Sequence, residues 1–113
     1  MAKFYFTYGS DEQFPYQGGW TEIEAEDLRR AMIAFRYFHP SRSRDSAEIF
    51  NFSDVYSEDR WARTVMAKTH SNLGHGCRER ITVTVEKEPY YSLDEVALIV
   101  EHVSYSRTII DNE

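Results

Sequence analysis

Three groups of residues in this 113-residue chain have types and spacing that could do chemistry. His70, His75 and Cys77 fall within eight residues, beside Gly74 and Gly76. Zinc takes imidazole and thiolate ligands, but a structural site needs four of them in recognisable pairs. A fourth would have to come from as far away as His39 or His102, and one cysteine gives no paired signal. His75 and Cys77 also read as a base and a thiol nucleophile on one strand face. A lone cysteine is more often a small buried hydrophobe. Glu79, Glu86 and Glu88, with Lys87, have the composition of a metal-dependent nuclease, which needs its acids to converge on one cation. Nothing in their spacing fixes such convergence. Gly18-Gly19-Trp20 precedes an extended stretch rather than a helix, so it lacks the context of a phosphate loop. The expectation is no enzyme, no metal and no cofactor.

Surfaces are more informative than motifs. Glu22, Glu24, Glu26 and Asp27 make one acidic patch, and Asp54, Glu58 and Asp59 make a second. Both also sit where a helix start favours negative charge. Arg29, Arg30, Arg36, Arg42 and Arg44 form a basic segment with no acid among them. Arginine forks suit phosphate and carboxylate partners. Aromatics crowd the first twenty residues, and those read as loop residues, Phe14, Tyr16, Tyr90 and Tyr91, are candidate interface contacts.

The elements that must position these groups follow from periodicity. Phe4, Phe6 and Tyr8 alternate with Tyr5 and Thr7, a first strand. Residues 9–19 hold three glycines and Pro15, a loop. Trp20–Glu24 alternates again, with Thr21 and Ile23 on one face. Leu28, Ala31, Met32, Phe35 and Phe38 give a helix that Pro40 stops. Residues 48–52 read as a third strand. Ser57 is a candidate N-cap for a short helix, with Glu58 and Asp59 in its first turn and Trp61 and Val65 four apart. Ile81, Val83 and Val85 mark the clearest strand, ended by Pro89. Ser92 and Glu95 match a capping box before Val96, Ile99, Val100 and Val103. That spacing predicts a helix over 93–105, with a strand as the competing reading from its β-branched content. The tail is expected to fray from about 107. The fold expected is α+β: one domain over 1–113, a mostly antiparallel sheet of about four strands covered by two or three helices.

Net charge is −6, from 13 basic and 19 acidic side chains, which argues against generic nucleic-acid binding. A 42% hydrophobic and 15% aromatic content is enough for a packed core. No apolar run approaches the roughly 20 residues of a membrane helix. The first residues lack a signal-peptide pattern, and with one cysteine the expected compartment is a reduced cytoplasm.

Tyr8-Gly9-Ser10-Asp11, the run from Phe14 to Ile23, and then Asn51, Tyr56-Ser57, Trp61 and Gly76-Cys77 resemble small accessory proteins carried by prophages and other mobile elements of bacteria. The resemblance covers residues 4–80 and carries no catalytic motif. It implies an accessory factor acting in a host bacterial cell, in concrete form an inhibitor of host defence of the anti-CRISPR type. The expected partner is a host protein or ribonucleoprotein complex with a basic surface, met through the acidic and aromatic groups above. Self-association is an open alternative. A small RNA- or nucleotide-binding module using Arg29–Arg44 is the competing function.

Overall fold

The structure is a computed structural model and describes residues 1–8, 18–39, 54–64, 76–91 and 97–110. Alternating side chains build its first two strands. β1 (Ala2–Thr7) and β2 (Trp20–Ala25) pair antiparallel, with Phe4 opposite Ile23 and Phe6 opposite Thr21. The period of two sends Phe6, Thr21, Ile23 and Ala25 to one face, where all are buried, and Tyr5, Glu22 and Glu24 to the other. Gly19 governs the entry to β2. Its φ is +83°, and a Cβ there would lie 2.5 Å from the Gly76 carbonyl oxygen. Glycine permits both, so the Trp20 N–H reaches that carbonyl at 3.2 Å.

α1 (Leu28–Phe38) begins at Asp27, whose carboxylate accepts the Arg30 N–H at 2.8 Å. Its core contacts are Ala31, Ala34 and Phe35, and Phe35 stacks on Phe6 with centroids 4.6 Å apart. The buried stripe is turned toward Ala34 relative to the expected one, leaving Leu28 42% exposed. Two alanines let the helix backbone lie close to the sheet, and Ile23, Ile81 and Val83 complete the core beneath it.

β3 (Asp54–Ser57) pairs antiparallel with the outer edge of β1 and runs into the short α2 (Glu58–Trp61). β4 (Cys77–Tyr91) lies parallel to β2 as far as Thr82, with a register shift beside Trp20. β5 (Ala97–Ile109) pairs antiparallel with β4 through 13 residue pairs. The sheet order is β3-β1-β2-β4-β5. Beyond Thr82 the β4–β5 pair has no third strand in the described residues and projects as a two-stranded ribbon.

The α+β class therefore holds, as one five-stranded mixed sheet with two helices among the described residues, rather than about four strands. The helix expected over 93–105 is instead strand β5. Its β-branched Ile99, Val100 and Val103 join the ladder to β4, and tertiary pairing overrides the helical spacing. The capping-box residues before it lie outside the described residues, as does the third strand expected at 48–52. Pro89 does not end β4. It stands opposite Ile99, in a position whose nitrogen points away from β5, toward a side where no strand pairs among the described residues, so its missing N–H costs no ladder bond there. Pairing likewise continues past Arg107 to Ile109, and the Ile110 N–H bonds the Arg78 carbonyl at 2.9 Å.

Candidate functional site

The face of the sheet under α1 holds a buried polar cluster. Glu79 stands one step before Ile81 and Val83 on their inward row and is 0% exposed. Its Oε1 accepts the Thr21 hydroxyl at 2.8 Å and the Tyr8 hydroxyl at 3.3 Å, and lies 2.5 Å from His39 Nε2. Its Oε2 accepts a two-pronged contact from Arg107, Nε and Nη2 both at 2.8 Å. The other ring nitrogen of His39 faces the Phe35 carbonyl at 3.1 Å, which fixes the ring between α1 and the carboxylate. Burial pushes the Glu79 carboxyl up, but the bonds from His39, Thr21 and Arg107 outweigh it and hold the group below its ordinary value. Among the described residues no buried side-chain nitrogen or oxygen lacks a partner. The cluster thus ties the end of α1 to β2, β4 and β5, and turns no unsatisfied group toward a ligand.

The opposite face carries a different assembly. α2 lays Trp61 flat on Tyr5, with centroids 4.8 Å apart and planes 5° apart. Trp20 meets Trp61 edge-on at 4.9 Å, and Tyr56 lies 5.6 Å from it. The two tryptophans are buried and the two tyrosines are half-buried at the surface. Acids rim this plate. Glu22 pairs with Arg80 at 3.2 Å, and Glu58 accepts the Lys3 backbone N–H at 2.8 Å. The Tyr5 hydroxyl is pushed up to about 12, by burial first and then by the charges of Glu22 and Glu58. Burial and the neighbouring Asp54 raise Tyr56 as well.

The two expected acidic patches are therefore regrouped. Glu22 from the first and Asp54 and Glu58 from the second converge on the tyrosines. Glu24 stands on the same face, opposite Lys3. Glu26 and Asp27 go elsewhere: Asp27 caps α1, and Glu26 pairs with Arg30 at 3.5 Å. Asp59 is exposed in the first turn of α2. In the basic segment Arg30 is also held by Glu101 at 2.5 Å, Arg29 and Arg36 are exposed on α1, and Arg42 and Arg44 lie outside the described residues.

Phe14, Tyr16, His70 and His75 lie outside the described residues too. Tyr90 and Tyr91 are the last two residues of β4. Cys77 opens β4, half-buried, and burial pushes its thiol up, away from the thiolate a nucleophile requires. Glu79 does not converge with Glu86 and Glu88, because strand alternation puts those two on the other face, and Glu88 pairs there with His102 at 3.3 Å. No helix among the described residues is long and apolar enough to cross a membrane.

Sequence reasoning named Glu79 and His39 separately and missed the cluster they form with Tyr8, Thr21 and Arg107. The signal was present. Thr21 and Glu79 occupy apolar rows, Thr21-x-Ile23-x-Ala25 and Glu79-x-Ile81-x-Val83. Comparison of the chain with protein-family models, with curated proteins and with solved structures finds no match.

Proposed function

We propose that this chain is a non-enzymatic binding protein whose acidic, tyrosine-bearing face covers a basic surface on a host nucleoprotein complex. The observation that carries the reading is geometric: Glu22 and Tyr56 stand on either side of Tyr5 in the sheet, with Asp54 and Glu58 at the two ends of the neighbouring β3 turn into α2, over a plate anchored by Trp20 and Trp61. A rigid aromatic centre with charges around it is the composition of a protein interface. Carboxylates on a flat sheet face can take the place of nucleic-acid phosphates against Lys and Arg, and such contacts speed association and fade with salt. An anti-CRISPR inhibitor of phage or prophage origin, acting in the cytoplasm of a host bacterium, is the concrete form, and it rests on the resemblance of residues 4–80. The alternative RNA-binding reading keeps Arg29 and Arg36 exposed on α1, while Arg30 is paired with Glu26 and Glu101.

The test is capture of partners on the immobilised protein, with and without nuclease treatment of the lysate. The proposal expects a protein or ribonucleoprotein partner that survives nuclease and is released by added salt. Recovery of RNA alone would transfer the function to the arginine segment.

A further inference from the structure

We infer that β5 is a self-pairing edge, through which two copies of this chain join their sheets antiparallel about a two-fold axis at Ser104. β5 ends the sheet, and no strand among the described residues pairs with its outer side. Thirteen residues of open edge are a template for another strand. The Ile110 N–H bonds Arg78, so residue 110 and, by alternation along an unbroken register, the even-numbered residues of β5 turn their backbone groups toward β4. The odd-numbered residues, Ile99, Glu101, Val103, Tyr105, Arg107 and Ile109, turn theirs outward.

That outward row is self-complementary. With Ser104 on the axis, Glu101 of each copy stands opposite Arg107 of the other, Val103 opposite Tyr105, and Ile99 opposite Ile109. The even residues pair among themselves, Val100 with Thr108 and His102 with Ser106. Glu101 and Arg107 are the only charges in the row; within the chain Glu101 also holds Arg30 and Arg107 also holds Glu79, and both retain exposed side-chain surface, 40% and 32%. Moving the axis to Val103 sets Glu101 against Tyr105 and Arg107 against Ile99. Moving it to Tyr105 sets them against Ile109 and Val103. Only the Ser104 register matches charge with charge and aliphatic with aliphatic. It also lays the projecting ribbon of each copy beside the sheet body of the other, where Ile99, 70% exposed, meets Ile109, 55% exposed. The axis is normal to the sheet, so both copies of α1 lie on one side of a continuous ten-stranded sheet.

Sedimentation of the full chain over a concentration series up to about 1 mM should show a monomer–dimer equilibrium. Glu101→Lys, which faces Arg107 of the second copy twice per dimer, should weaken it about tenfold or more. The register is read by cross-linking in a Cys77→Ser background. Residues on the axis form a non-hydrogen-bonded pair with Cα atoms about 4.5 Å apart, within disulfide reach. Ser104→Cys should therefore oxidise to a covalent dimer. Ser106→Cys, whose copies stand about 14 Å apart along the strands, should not. A chain that stays monomeric at the highest concentration overturns the inference. So does a dimer that Ser104→Cys fails to cross-link, since it would be built on another surface.

Discussion

Half-buried Tyr5 and fully buried Glu79 are two responses to charge, and they titrate in opposite senses. Tyr5 is held neutral by burial and by Glu22 and Glu58, with its hydroxyl near 12 against an ordinary 10.0. Its contribution to stability is complete below pH 10 and is lost as pH rises through 12. Absorbance titration, with Tyr5→Phe as the difference, should find this phenol ionising late. Glu22→Gln with Glu58→Gln should move it back toward 10, and no movement would mean the two acids do not converge. Glu79 is lowered instead, so its contribution is present above the ordinary carboxyl value near 4.3 and is lost as pH falls through the folded one. Glu79→Gln leaves Arg107 and His39 facing a neutral amide. It should cost about 3–5 kcal/mol at pH 7 and flatten the acid limb of the melting profile. Sequence could flag Glu79 as a polar residue on an apolar row. It could not supply Arg107, a donor 28 residues away that arrives only because β5 is a strand.

At the scale of elements, whatever rested on local alternation was legible. β1, β2, α1 and the start of β4 follow the spacing of Phe4–Phe6, Thr21–Ile23, Ala31–Phe35 and Ile81–Val83. Phe35 and Val83 both lie in the core under α1, at 0% and 1% exposure. Phe35→Ala should cost about 3–5 kcal/mol and Val83→Ala about 2 kcal/mol in denaturant melts. Losses below about 0.5 kcal/mol at both sites belong to surface positions and would mean that the helix–sheet contact is wrong. Gly19→Ala should also destabilise, by roughly 2 kcal/mol, because its φ is positive and its Cβ would strike the Gly76 carbonyl. What local spacing missed was non-local. Val96, Ile99, Val100 and Val103 satisfy a helical period, and only the 13-pair ladder to β4 makes 97–109 a strand. Leu28 fits the helical stripe on spacing alone, but the close approach of Ala31 and Ala34 turns it toward solvent.

Across the whole molecule the sheet separates two jobs. One face is sealed by α1 and the Glu79 cluster, and the other presents acids around a tyrosine-capped plate. The acidic balance was readable as counts, but the regrouping of two sequence clusters onto one face was not. It depends on β3 and α2 returning to β1, so that Glu58 meets Lys3 across 55 residues of chain. The measurement that bears most directly on the binding role is affinity for the captured partner, wild type against Glu22→Lys with Glu24→Lys and Glu58→Lys, at low and high salt beside a thermal melt. The folded variant should lose at least about 100-fold in affinity, and the wild-type interaction should weaken as salt is added. Unchanged affinity in the folded triple variant would contradict it.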